Sequence, residues 1–117
     1  MGKFYLVTVF NSKIRAKTQR KQVHEEAYGL TFTLGRGNEV VAKMCESLAP
    51  LVVGRDMDAI LEDPMAFSRE LTQDGQLRWI GPEKGVLAMA CGAVLNAVWD
   101  LWARWAGKPL WEFVCEM

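Results

Sequence analysis

The chain has 117 residues, with 14 Lys and Arg balanced by 14 Asp and Glu and a single His, so its formal net charge is zero. Half of it is hydrophobic, which excludes a disordered chain, because disorder needs low hydrophobicity or high net charge. Ten Gly, four Pro and three Cys exclude collagen-like, low-complexity and disulfide-scaffold classes, the length fits one domain, and neutrality argues against a dedicated nucleic-acid binder.

Residues 1–24 carry six basic side chains (Lys3, Lys13, Arg15, Lys17, Arg20, Lys21) and no acidic one, whereas the rest carries 8 basic against 14 acidic. Such an acid-poor start is either a solvated basic face or a mitochondrial transit peptide, and it has no secretory-signal pattern. Within it, Lys3 to Phe10 is rich in aromatic and β-branched residues and predicts a strand. Lys13 to Glu26 is polar and predicts a loop or a weak solvated helix. Leu30-Thr31-Phe32-Thr33-Leu34 alternates with a period of two and predicts a second strand, closed by Gly35-Arg36-Gly37.

Asn38 then stands where a helix N-cap belongs, followed by Glu39 and by Val40, Val41, Met44, Cys45 and Leu48 at helical spacing. Pro50 predicts an end near Ala49. Asp56 or Asp58 caps a short helix through Leu61, and Asp63-Pro64 restarts one whose inner face is Phe67 and Leu71. Asp74-Gly75 and Gly81-Pro82 are turns. Glu83 or Lys84 opens the main helix, apolar nearly all round and therefore buried on several sides. Gly107 with Pro109 just beyond stops it, and Leu110 to Val114 begins another. The uncharged stretch Gly85 to Trp99 is shorter than the roughly twenty residues a membrane span requires, which predicts a core helix and no membrane.

Chemistry-bearing patterns are sparse. One His and no G-x-S-x-G give no support for a Ser/His/Asp triad. Cys45, Cys91 and Cys115 are odd in number and widely spaced, so they read as free thiols of a reducing, intracellular compartment and not as a disulfide framework or zinc site. The Gly35-Arg36-Gly37-Asn38 turn reads as a strand-to-helix connection before it reads as an anion cradle. In the run from Asp74 to Gly85, Arg78 has the chemistry to bind a carboxylate and Trp79 to wall a site. The simpler reading is an inter-helix loop anchored by that Trp. The scattered carboxylates read as caps and solvated faces, and the Trp and Met residues as core.

Two stretches carry a resemblance. The tail from Ala90, ACGAVLNAVWDLWARWAGKPLWEFV, has small residues, then Ala97, Asp100-Leu101, Ala103-Arg104 and Gly107-Lys108-Pro109-Leu110. With it, Leu30 to Val114 resembles the N-terminal capping domain of the enolase superfamily, in its mandelate racemase and muconate lactonizing branch. LTFTLGRGNEVV and LTQDGQLRWIGPEKG are similar to the L-fuconate dehydratase-like acid-sugar dehydratases of that branch. Leu95 departs from the acidic or amide side chain of many members, and residues 1–28 do not look like the family's start.

The resemblance implies an α+β fold: a small antiparallel N-terminal sheet followed by a helical bundle, without the (β/α) barrel. It divides the chain into a divergent segment, 1–28, and a capping domain, 29–117. It also implies that the family's Mg²⁺ ligands, Lys-x-Lys base and His–Asp dyad belong to the barrel, leaving this chain a truncated or alternatively started form with no catalytic or metal-binding residue. Loops of the cap close over the barrel mouth, and the one at Thr31 to Arg36 makes Phe32 and Thr33 the candidate substrate-proximal residues. The implied partner is the barrel, with self-association into a homo-oligomer as another, and the compartment is mitochondrial or cytoplasmic. Two alternatives stand beside this: a partner-binding or regulatory helical module without enzymatic role, and an unrelated four-helix interaction module.

Overall fold

The computed structural model describes residues 5–10, 26–81 and 83–117. The polar stretch expected as loop or weak helix lies outside the described residues up to Glu25, as do His24 and Pro82. Two strands, β1 (Tyr5–Phe10) and β2 (Glu26–Thr31), pair antiparallel with Tyr5 opposite Thr31 and Phe10 opposite Glu26. Five helices follow: α1 (Asn38–Val52), α2 (Met57–Glu62), α3 (Pro64–Thr72), α4 (Val86–Trp105) and α5 (Leu110–Cys115). A 3₁₀ turn at Arg78–Ile80 lies between α3 and α4. This is the expected α+β arrangement of a small antiparallel sheet and a helical body.

The second strand differs from the sequence expectation in extent. It begins at Glu26 and ends at Thr31, so Phe32 and Thr33 lie in irregular chain beyond it. Ala27 and Gly29 are the buried residues, whereas Leu30 is 46% exposed and Leu34 97% exposed. The reason lies in α4, which meets the strand with small residues. A Cβ on Gly29 would stand 1.7 Å from the Ala93 carbonyl oxygen and 2.7 Å from the Ala97 nitrogen, so no large side chain fits on that face. Burying the two smallest residues brings the backbones together and leaves the large apolar ones facing out.

α4 is the central core helix. Leu87, Ala90, Cys91, Ala93, Val94, Ala97, Val98 and Leu101 are all buried along it, facing β2 on one side and the Met44 and Leu48 face of α1 on another. The helix continues through Asp100 and Arg104, so by length and composition it is long and apolar enough to cross a membrane, a test that a half-buried core helix also passes. It starts at Val86, later than expected, with Gly85 at the N-cap at φ 87°. Its end follows the glycine stop: Gly107 has φ 71°, its N–H donates to the Arg104 carbonyl at 3.0 Å, and the Lys108 N–H donates to the Ala103 carbonyl at 3.1 Å. Those two bonds are a Schellman pair.

α1 runs past Pro50 to Val52, beyond the expected end at Ala49. The missing N–H is offset by burial of Val52, 3% exposed, and by bonds that close the last turn. The Val53 N–H donates to the Ala49 carbonyl at 2.8 Å, and Arg55 Nε donates to the Leu51 carbonyl at 2.9 Å. The same guanidinium pairs with Glu70 of α3 at 2.6 Å and lies 5.6 Å from the Phe67 ring centroid, clasping α1 to α3. Asp56 and Asp63 cap α2 and α3 as expected, accepting from Asp58 N–H at 3.1 Å and Ala66 N–H at 2.9 Å.

Candidate functional site

The loop between β2 and α1 holds both residues singled out by the resemblance. Phe32 is 44% exposed, Thr33 is half-buried, and residues 34–36 are exposed. Asn38 does not cap α1. Gly37 takes the N-cap position, in left-handed backbone at φ 105°, and Asn38 is the first helical residue, 4% exposed. Its amide oxygen turns back into the loop, accepting the Thr33 N–H at 2.6 Å with the Thr33 hydroxyl 3.1 Å away. Sequence reasoning placed Asn38 at the right junction but gave it the wrong bond. The signal available was an amide side chain directly after a Gly-x-Gly turn, with a hydroxyl residue just before that turn, a spacing that lets it close a ring.

The strand leading into this loop is held by a second polar contact. Asp100 Oδ2 on α4 accepts the Tyr28 backbone N–H at 2.9 Å and the Arg104 Nε–H at 2.8 Å. The Arg104 guanidinium lies 5.6 Å from the Tyr28 ring centroid. Asp100 and Arg104 were legible as signature residues, but Tyr28 was not singled out. In the folded chain these signature residues tie the sheet to the central helix, so the loop starts from a fixed point.

The other candidates lie in other parts of the chain. In the Asp74 to Gly85 run, Asp74 Oδ1 accepts the Gln76 and Leu77 N–H groups at 2.9 and 3.1 Å. Trp79 does not anchor the loop by burial, being 80% exposed, although its indole N–H donates to the Gln76 carbonyl at 2.8 Å. The exposed ring is thus pinned locally, at the 3₁₀ turn. The tryptophans as a group are less buried than expected of core residues. Trp111 is 70% exposed, and Trp102 is half-buried between Trp99 and Phe113, each ring centroid 5.1 Å away.

All three cysteines are free, with Cys91 buried, Cys45 half-buried and Cys115 exposed. Desolvation pushes the Cys91 thiol up to about 11 and raises Cys45 as well, so neither is an activated nucleophile. Among the described residues no three His, Cys, Asp or Glu side chains come together as a metal ion needs, so these residues do not fit a resident Mg²⁺.

A two-stranded antiparallel sheet laid on the long helix of a small helical body, with its exit loop braced by that body, defines an α+β capping domain. Residues 26–114 match the mandelate racemase / muconate lactonizing enzyme N-terminal domain family. The chain belongs to that family, and so to the enolase superfamily, which sets aside the unrelated four-helix module.

Among curated proteins it is 59% identical over 92 residues to mitochondrial enolase superfamily member 1 of Bos taurus and 56% identical over 89 residues to that of Homo sapiens. It is 48% identical over 90 residues to L-galactonate dehydratase of Hypocrea jecorina. These alignments cover 79%, 76% and 77% of this chain, and 21%, 20% and 20% of the relatives. The chain thus spans about a fifth of the length of the curated relatives it matches. The crystal structure of human mitochondrial enolase superfamily member 1 superimposes with a TM-score of 0.78 at 39% identity, covering 98% of this chain and 30% of that one.

Proposed function

We propose that this domain is the substrate lid of an acid-sugar dehydratase of the L-fuconate dehydratase type, and that the chain is catalytically incomplete by itself. Removing a proton next to a carboxylate makes an enediolate, whose charge a divalent cation stabilises. That cation and its ligands belong, in this reading, to a (β/α) barrel that the chain covers. The cap supplies closure: it excludes water and meets the distal part of the sugar acid, with Phe32 and Thr33 nearest the substrate. The name of the bovine and human relatives supports mitochondrial residence, with the cytoplasm as the alternative.

The observation that carries this reading is the loop at 32–37. It leaves a strand fixed by Asp100, is tied at Thr33 by Asn38, and presents Phe32 and Leu34 outward. A relative bearing the name L-galactonate dehydratase supports the substrate class. Co-purification with a separately expressed barrel of a family member tests it. Stable association, weakened when Leu30 and Leu34 are replaced by Ser, is expected. A chain that never associates with such a barrel is no lid.

A further inference from the structure

Asn38 is a buried polar residue, at 4% exposure. A buried amide must find partners for its polar atoms, so its placement is specific. Its Oδ1 takes the Thr33 N–H at 2.6 Å and lies 3.1 Å from the Thr33 hydroxyl, which is also 3.2 Å from the Arg36 carbonyl. The hydroxyl has one proton for these two acceptors, so the bond that ties Thr33 to Asn38 is the one from its backbone N–H. Between these anchors stand Gly35 at φ +123° and Gly37 at φ +105°, where an added Cβ would meet nothing within 4 Å. The glycines serve backbone conformation and not close approach. Leu34 and Arg36 are exposed, so packing at those two positions does not set the loop's shape.

We propose that Asn38 is a positioning residue: a latch that closes the 32–37 loop across its two glycine pivots and holds Phe32 and Thr33 in one arrangement. The inference rests on the lid reading for its consequence but not for its existence. With the latch open, the loop samples many conformations and only a fraction can meet the substrate, so apparent affinity falls by that fraction.

Amide hydrogen exchange by NMR on the full chain tests the latch. In the unaltered protein the Thr33 amide is protected although its neighbours at 34–36 are exposed; exchange at the free rate overturns the proposal without any variant. In Asn38→Leu, similar in size but with no acceptor, Thr33 exchanges about ten-fold faster while amides inside α1 and α4 keep their rates. Asn38→Asp, which keeps an acceptor oxygen beside a helix N-terminus, restores protection. Equal acceleration in the loop and in both helices would make Asn38 a general stabilising residue and overturn the latch. Turnover decides the lid reading separately. When the chain is combined with a family barrel, Asn38→Leu raises KM for a sugar acid more than it lowers kcat. A Phe32→Ala chain that supports unchanged turnover, alongside a protected Thr33, removes the lid reading and leaves the latch standing.

Discussion

At Gly29 two backbones meet. The missing side chain lets β2 lie against Ala93 and Ala97 of α4, and a methyl group there would stand 1.7 Å from a carbonyl oxygen with only backbone to move. Gly29→Ala is therefore expected to cost about 3 kcal/mol or more, read as a lowered melting temperature or loss of folded protein. Asp100 is the polar counterpart, joining groups 72 residues apart in sequence. Asp100→Ala strands the Tyr28 N–H and should cost about 1–3 kcal/mol in urea unfolding. Asp100→Asn keeps an oxygen for that N–H, loses only the partly exposed pair with Arg104, and should cost less than about 1 kcal/mol. Neither partner of the Tyr28–Asp100 bond is readable from the other, because the strand's geometry alone brings them together.

The thiols give a pH dependence at the same scale. Burial lifts Cys91 from 9.0 to about 11, so above 9.0 an unfolded chain releases a proton that the folded chain keeps. Stability is whole below that value and falls as pH rises toward about 11. Urea midpoints on either side of 9.0 check the sign. Alkylation followed by mass spectrometry should label Cys115 first, Cys45 next and Cys91 last, the order of their exposure.

Among the elements, those set by local chemistry were legible and those set by neighbours were not. The Asp63-Pro64 start of α3 and the Gly107 stop of α4 depend on side chains within a few residues, and both stand as the sequence indicates. Gly107→Ala should cost about 1 kcal/mol, from backbone conformation alone, since nothing lies within 4 Å of an added Cβ. α1 ran through Pro50 because Val52 has a core to enter and Arg55 closes the last turn, facts that no propensity contains. Which face of β2 is buried has a similar cause. A period of two locates a strand but does not say which set of residues faces inward. The close packing of α4 favours Ala27 and Gly29 over the larger apolar residues. Of the candidate site, Phe32 and Thr33 came from resemblance, while the latch behind them is a buried amide whose partner only the folded chain identifies.

Taken whole, the molecule keeps a filled core and leaves large apolar side chains outside it: Leu30, Phe32 and Leu34 on and after β2, and Trp111, Val114 and Met117 at and beyond α5. A chain with a formal net charge of zero and such surfaces is suited to being covered by a partner. The chain spans about a fifth of the relatives it matches, and the described residues assemble no donor set for a divalent cation. The most direct measurement is turnover of a sugar acid such as L-galactonate with Mg²⁺, by the purified chain alone and by the chain combined with a family barrel. The account predicts no dehydration by the chain alone and turnover that depends on the barrel. Dehydration by the unaided chain, abolished by chelating the metal, would contradict it.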